Sequence, residues 1–320
     1  MSRLTPLVMY MALLCACTDQ EEFIPNSSGL IETRAGGFDV TTTPVTLITS
    51  LSGTVGGTVS NQGGGNGTTE RGVVYNTSPI PTIDDTKIEN GSGSGSFECV
   101  LTAVNPSTTY YIRAYAIKKN TIVYGNEVTF TTLPDMGTVT DIEGHVYKTV
   151  NIAGKIWMIE NLATTRYSDN TPIPNVSDPT AWNGLRSTTT GAFCNYNNDE
   201  ANAAAFGRLY NWYAVSSTHH LAPAGWHIPS KAEWDALEAF LGTGAGGKLK
   251  EAGLVHWASP NTGGNNCSAM SVLPAGVRGP DGLFSDLSTA SCLWSSSLLV
   301  GWTYYRYVRY NTNLLDWNIA

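Results

Sequence analysis

Charged side chains are scarce in this sequence. Only 14% of the 320 residues are Asp, Glu, Lys or Arg, against roughly 25% in ordinary soluble domains. The 18 basic residues are outnumbered by 26 acidic ones, which gives a formal net charge of −8. No basic surface is available to neutralise phosphates, so nucleic acid is not expected as a partner. Long apolar runs are also lacking beyond the amino terminus, and we expect no helix that spans a bilayer.

The length and the distribution of tryptophan predict two domains. At 320 residues the chain is about twice the usual domain size. All nine tryptophans follow Val150, so the two halves must build different cores. The 33 glycines and the aromatic content of 10% are typical of short strands joined by turns. We therefore expect a β-rich, extracytoplasmic protein.

The amino terminus has the features of a cleaved targeting signal. Residues 1–16 carry one positive charge at Arg3, followed by an apolar run over residues 7–14 that is too short to span a bilayer. The junction Leu14-Cys15-Ala16-Cys17 resembles the bacterial lipobox. This resemblance implies lipidation of Cys17 and attachment to a membrane through the acyl chains. An ordinary secretory signal is the alternative.

The acidic residues after this junction indicate where the protein is located in the cell. Asp19, Glu21 and Glu22 resemble the export signal of surface lipoproteins in Bacteroidetes, which implies an outer-membrane lipoprotein exposed on the cell surface. A solvated linker is the alternative for this cluster. Residues 17–37 also contain Pro25 and paired glycines, and they are predicted to form a flexible tether.

Residues 38–133 are predicted to form an all-β sandwich. Apolar and polar side chains alternate there in short runs separated by glycine-rich turns, the pattern of half-buried strands. The stretch from Pro106 to Arg113 resembles the corner of fibronectin type III-like modules of bacterial surface proteins. That resemblance implies that Tyr110 or Tyr111 buries its ring and bonds nearby backbone through its hydroxyl. Alternation also places Cys99 on a buried face, as an unreactive thiol.

Residues 137–320 are predicted to form a second, α+β module. Two turn signals, Glu143-Gly144 and Ala153-Gly154, predict hairpins. A helix is expected from Ser230 to Leu241, because Ser230 and Glu233 have the spacing of a capping box. Trp234, Leu237 and Leu241 would form its apolar stripe, and Gly242 would end it.

Five blocks of this module carry a family resemblance. They are residues 154–162 (GKIWMIENL), 207–213 (GRLYNWY), 223–230 (PAGWHIPS), 273–278 (LPAGVR) and 293–297 (LWSSS). Together they resemble the Fibrobacter succinogenes major paralogous domain, a family of bacterial lipoproteins and secreted proteins. The resemblance implies a C-type-lectin-like fold, with some similarity to formylglycine-generating enzymes. The chain departs from the family at Ala222, where a Cys is usual, and the domain is predicted to lack its last strand.

The sequence offers little support for catalysis or a cofactor. Formylglycine generation needs two reactive cysteines close together, but Cys194, Cys267 and Cys292 are far apart in the chain. A disulfide between Cys267 and Cys292 is one alternative for these thiols in an oxidising compartment. His219 and His220 lack further ligands at a metal-binding spacing, so no metal is predicted. We expect the protein not to be an enzyme and to need no cofactor.

Aromatic residues are the candidate ligand-binding groups. On an extended strand, Trp302, Tyr304 and Arg306 would share one face, and flat aromatic faces suit sugar rings. Trp182 and Trp317 are further candidates, and core packing is the alternative for all of these rings. The sequence thus predicts a surface-anchored, non-enzymatic lipoprotein that presents a lectin-like domain to a glycan or an extracellular protein. The competing hypotheses are an enzyme related to the formylglycine generators and a purely structural envelope component.

Overall fold

The computed structural model describes residues 38–61, 68–135, 137–299 and 302–319. The predicted signal, the lipidation site Cys17 and the tether lie outside these residues. Residues 35–320 belong to one compact unit, in which a β-sandwich is followed by a module of strands and helices. Within the described ranges, no helix is long and apolar enough to cross a membrane.

The first part of the chain is a sandwich of two antiparallel sheets. Its strands are β1 (Phe38–Thr42), β2 (Gly53–Asn61), β3 (Glu70–Asn76), β4 (Thr86–Glu89), β5 (Gly95–Leu101), β6 (Thr109–Lys118), β7 (Thr121–Tyr124) and β8 (Val128–Thr131). One sheet has the order β1-β2-β5, and the other has the order β4-β3-β6-β7 with β8 also paired to β6. A single apolar core lies between them. The predicted all-β sandwich is confirmed.

Alternation along the strands fixes which side chains enter this core. Tyr110 is buried, whereas Tyr111 is only half-buried, and the backbone amide of Asn105 donates to the Tyr110 hydroxyl at 2.9 Å. Tyr110 is therefore the corner tyrosine, and its role is structural. The predicted burial of Cys99 is also confirmed, and burial raises the pKa of its thiol to about 11.

The second module mixes short strands and short helices. Its strands are β9 (Thr138–Thr140), β10 (Val146–Ile152), β11 (Lys155–Met158), β12 (Phe193–Cys194), β13 (Leu209–Tyr210), β14 (Ala275–Arg278), β15 (Phe284–Leu287), β16 (Ala290–Leu299), β17 (Trp302–Arg309) and β18 (Asp316–Ile319). Its helices are α1 (Pro179–Thr188), α2 (Glu200–Phe206), α3 (Trp212–Val215), α4 (Lys231–Leu241) and α5 (Ala245–Leu249), with one 3-10 turn at Tyr196–Asn198.

The predicted local structures of this module are confirmed. Strands β10 and β11 pair with Ile152 opposite Lys155, so Ala153-Gly154 is a two-residue hairpin turn. Helix α4 has the complete capping box between Ser230 and Glu233. Its buried stripe packs against β10, β11 and β17 in the largest core of the module.

A five-stranded sheet of order β15-β14-β16-β17-β18 forms the other half of the module. The pairing of β14 with β16 is parallel, and the remaining pairs are antiparallel. Strand β18 occupies one edge of this sheet. On β17, Arg306 and Val308 are fully buried toward α4 and its core, so their neighbours Tyr305 and Tyr307 face the opposite side of the sheet.

The loop between β1 and β2 carries buried contacts from the sandwich to the second module. Thr49 forms an isolated bridge with Ile152, and the Ser50 hydroxyl accepts from the Asn151 amide at 2.8 Å. The Ser52 hydroxyl donates to the carbonyl of Cys267 at 2.6 Å. Leu51 also packs against the main core of the second module. These contacts join the two parts into one compact unit.

Candidate binding site

A cavity of about 560 Å³ lies on the side of the five-stranded sheet that carries Tyr305 and Tyr307, bordered by β11, β14, β16 and the segment that leads into α4. This volume falls in the usual range for small-molecule sites. Each of the five sequence blocks contributes to its wall. The contributions are residues 156–158 and 160–162 of the first block, followed by 208–210, 226–229, 275–278 and 293–294. Segments that are far apart in the chain therefore converge on one concave surface.

The wall of this cavity contains several aromatic rings. The ring centroids of Trp294 and Tyr305 lie 5.9 Å apart, and those of Tyr305 and Tyr307 lie 6.4 Å apart. The Trp294 indole is fixed because its N–H donates to the Tyr210 carbonyl at 2.9 Å. Trp226 completes this wall just before the turn into α4. The cavity thus offers several flat, rigid faces to a ligand.

Arg278 forms a second part of the wall. Its Nε, Nη1 and Nη2 atoms donate to the backbone carbonyls of Gly282, Val176 and Ser177. The guanidinium carbon also lies 4.5 Å from the ring centroid of Trp182. Trp182 is buried, with 7% of its surface exposed. Arg278 therefore holds the loop before α1 in place and packs Trp182 into the wall.

Burial keeps two ionisable side chains of the cavity protonated. Burial and the nearby Asp286 carboxylate raise the pKa of Tyr307 and of the Cys292 thiol to about 12 each. Both groups are therefore protonated at neutral pH. Cys292 is the one cysteine of the described residues that lines this cavity, and as a neutral thiol it is a poor nucleophile.

Several polar side-chain groups of the wall have no partner among the described residues. The indole N–H groups of Trp157, Trp182 and Trp226 and the hydroxyl of Tyr305 make no hydrogen bond with any residue that the structure describes. Fully buried polar atoms without a partner occur elsewhere in the described residues, but none of these four atoms is among them. Each of the four is therefore at least partly exposed, and the wall presents hydrogen-bonding groups together with its apolar faces.

The predicted ligand-binding residues divide between two places. Trp182 lines the cavity, whereas Trp302, Tyr304 and Trp317 do not. The rings of Tyr304 and Trp317 lie 5.5 Å apart, and the Trp317 indole donates to Asp235 at 2.8 Å. Trp302 is 52% exposed at the end of the same sheet. These three residues form a separate surface, on which Tyr304 and Trp317 are already committed to contacts within the protein.

The structure does not contain the disulfide considered between Cys267 and Cys292, because both thiols are free. Cys267 is fully buried beside the sandwich, where its carbonyl accepts from Ser52. Cys292 lies on β16 opposite Tyr307 and faces Asp286. The two cysteines therefore have different surroundings.

Two histidines of the second module lie beside carboxylates. His219 Nδ1 lies 2.6 Å from Asp169, and His227 Nε2 lies 3.0 Å from Glu233. No group of three or more metal-ligating side chains occurs among the described residues. His227 supports the capping box of α4, because its ring and Ser230 share the Glu233 carboxylate.

Sequence reasoning missed Trp226, Tyr305 and Tyr307 as wall residues. Trp226 looked like a core residue, and Tyr305 and Tyr307 lie on the face of β17 opposite to the predicted one. The sequence does contain a signal for an aromatic site, because four of the five blocks contain a tryptophan. Only the structure shows that these blocks surround one cavity.

A second cavity, of about 810 Å³, lies where Leu51 and Thr102 of the sandwich meet the second module. Three of the five blocks reach it, and its wall contains few aromatic rings. Arg208 and His256 on this wall are paired with Glu200 and Glu251, respectively. The first cavity is therefore the stronger candidate site.

Comparison with protein families agrees with the five blocks. Residues 150–302 match the family model of the Fibrobacter succinogenes major domain. The match covers 153 of the 320 residues, a little under half of the chain. All five blocks fall inside the matched residues, so the resemblance predicted from the sequence is confirmed. No curated protein matches the chain.

Two solved structures are similar to part of the chain. One is the sensor domain of the anti-sigma factor RsgI4 of Pseudobacteroides cellulosolvens, at 18% identity and a TM-score of 0.23, over 31% of this chain and 97% of that one. The other is a fibronectin type III domain derived from the human KIAA0970 protein, at 13% identity and a TM-score of 0.23, over 30% and 74%. The sandwich described above is defined by its own strand pairing.

Proposed function

We propose that this chain is a bacterial surface lipoprotein whose Fibrobacter succinogenes major domain binds a glycan or an extracellular protein in its aromatic cavity. The observation that carries the proposal is the convergence of all five blocks on one wall. Accessible aromatic faces and unpartnered polar groups in one concavity are the usual features of a recognition site. The domain binds its ligand without transforming it.

The sequence of the amino terminus supports the anchoring part of this proposal. The lipobox-like junction makes Cys17 the lipidated residue, and the acidic cluster that follows it directs the protein to the outer face of the outer membrane. The sandwich then acts as a spacer, and the second module has a C-type-lectin-like arrangement. Mass spectrometry of the native protein tests the anchor: a triacylated peptide beginning at Cys17 supports it, and an unacylated amino terminus contradicts it.

The competing enzymatic function is weaker on the same residues. Formylglycine-type chemistry uses two neighbouring thiols, whereas Cys292 alone among the described cysteines lines the cavity and its pKa is raised to about 12. A purely structural role is the other competitor. It does not account for polar groups that stay unpartnered at a concave aromatic wall.

Binding of the full chain to arrays of glycans and of extracellular and envelope proteins tests the proposed function. Tyr305→Ala removes part of the cavity wall, and Trp302→Ala is the matched control on the exposed end of the same strand. We expect a ligand that is retained by Trp302→Ala and lost by Tyr305→Ala, with both variants folded by circular dichroism. Equal binding by all three proteins contradicts the cavity as the site. Binding to nothing on either array supports a structural role, and turnover of any probe supports an enzyme.

A further inference from the structure

The charged groups of the aromatic cavity are of both signs. Five wall residues are Asp, Glu, Arg or His. Arg208 is ion-paired with Glu200, and His227 lies beside Glu233. Glu160, Arg278 and Asp286 bond neutral groups, which are the Lys148 backbone amide, three backbone carbonyls and the Tyr307 hydroxyl, respectively. A charged ligand would therefore meet repulsion as well as attraction, and the loss of its hydration is costly in an apolar site. With no cluster of basic groups, the wall favours a ligand without net charge.

Trp226 is the least constrained aromatic residue of this wall. Its side chain makes no hydrogen bond, ring contact or cation–π contact with any part of the chain that the structure describes, and it is only half-buried. By contrast, Trp294 is held by Tyr210, and Trp182 is covered by Arg278. An uncommitted indole has both a face for stacking and an N–H for hydrogen bonding.

The polar groups around this indole are mainly donors. The accessible N–H groups of Trp157 and Trp182 can only donate, and the Tyr305 hydroxyl can donate or accept. A complementary ligand has an apolar face for stacking and oxygen acceptors at its rim. A sugar ring in its pyranose form combines these features, because axial C–H groups make its face apolar and its hydroxyl and ring oxygens lie at the edge.

We propose that the ligand of the cavity is an uncharged pyranose glycan, stacked on Trp226 and hydrogen-bonded by Tyr305 and the neighbouring indoles without a metal ion. This inference rests on the proposed function and makes it more specific. It separates this site from acidic or sulfated glycans, which require basic partners, and from calcium-dependent sugar binding, which requires clustered oxygen ligands.

Isothermal titration of the full chain against a defined panel tests the inference. The neutral probes are hexasaccharides of mannan, cellulose, xylan and galactan, and the acidic probes are oligogalacturonate and heparin fragments. We expect at least one neutral probe to bind, with an affinity that changes less than twofold between 50 mM and 500 mM NaCl and on addition of EDTA. Acidic probes should bind at least tenfold more weakly.

Matched variants locate the binding in the cavity. Trp226→Ala should weaken the neutral probe by tenfold or more, and Trp226→Phe should restore part of the affinity because it keeps a flat ring. Tyr305→Phe should cost roughly threefold to tenfold, in the range of one hydrogen bond. Trp302→Ala should leave the affinity within twofold of the wild type, because this residue is outside the cavity.

The outcomes separate this inference from the proposed function. Four results would overturn the inference of an uncharged pyranose ligand. They are tighter binding of an acidic probe, a steep salt dependence, loss of binding in EDTA, and capture of only a protein ligand. If such binding still depends on Trp226, the proposed function remains supported. Sugar binding that depends on Trp302 and not on Trp226 overturns both, and so does the absence of binding to every sugar and protein tested.

Discussion

Lys250 offers a quantitative test of how the second module is held together. Its side chain is fully buried, and its Nζ donates to the carbonyls of Thr262, Arg309 and Thr312 at 3.0, 3.0 and 3.1 Å. One ammonium group therefore ties the end of β17 to two loops. Lys250→Met keeps most of the apolar stem but leaves three partly buried carbonyls without this donor.

The expected cost of Lys250→Met is about 3 kcal/mol or more. Each buried acceptor without a donor costs about 1–3 kcal/mol, partly offset because the variant no longer buries a cation. For a compact unit of this size, that corresponds to a fall in Tm of roughly 6–12 °C. Urea unfolding followed by tryptophan fluorescence measures the change. Lys155→Met, at an exposed position, is the matched control and should change stability by less than about 0.5 kcal/mol.

The same residue predicts a pH dependence. Burial lowers the pKa of Lys250 to about 8, whereas its value in the unfolded chain is about 10.4. Between these values the unfolded state binds more protons, so the contribution of Lys250 to stability increases as the pH rises from about 8 toward 10. The stability difference between wild type and Lys250→Met should widen over that range. A difference below 1 kcal/mol at every pH would refute the role assigned to this ammonium group.

Three further perturbations test other parts of the structure. Ser230→Ala removes half of the capping box of α4 and should lower the free energy of unfolding by about 1 kcal/mol, as measured in urea; no change would contradict the cap. Asp141→Asn should destabilise the protein at neutral pH but not at the lowest pH. Although burial raises the pKa of Asp141, hydrogen bonds from Tyr147 and His145 hold it below its usual value. Its stabilisation is therefore present above about pH 4 and lost as the pH falls through the folded pKa; an equal destabilisation at all pH values would contradict this. Ser50→Ala removes the acceptor of the Asn151 amide and should cost about 1–3 kcal/mol. Tryptophan fluorescence reports only the second module, whereas far-UV circular dichroism reports both parts. In Ser50→Ala the unfolding transitions measured by the two methods should therefore separate. Coincident transitions with an unchanged midpoint would contradict a stabilising contact between the two parts.

Local structure was largely predictable from the sequence. Alternation of apolar and polar residues predicted the strands of the sandwich. The Ala153-Gly154 turn predicted a hairpin, and the Ser230–Glu233 spacing predicted a capped helix. These features depend on residues within a few positions of one another, where backbone preferences and hydrogen bonds act directly. The corner tyrosine was narrowed to two candidates, and burial selected Tyr110.

The candidate site was not predictable in the same way. Alternation assigns Tyr304 and Tyr305 to opposite faces of β17, but it does not reveal which face borders a cavity. The sequence left binding and core packing open for Trp182, and the structure shows that Arg278, far along the chain, covers its ring. The wall arises from segments separated by up to 151 positions, from Ile156 to Tyr307. Such contacts are set by tertiary packing and leave no periodic signal in the sequence.

The nine tryptophan side chains provide the most direct measurement of the central claim. In a spectrum of protein labelled with ¹⁵N at the indole nitrogens, each described indole gives its own signal, assignable by single substitutions. On titration with the tightest ligand from the arrays, we predict shifts of the Trp157, Trp182 and Trp226 signals, with those of Trp302 and Trp317 unchanged. Shifts confined to Trp302 and Trp317 would contradict the cavity as the binding site.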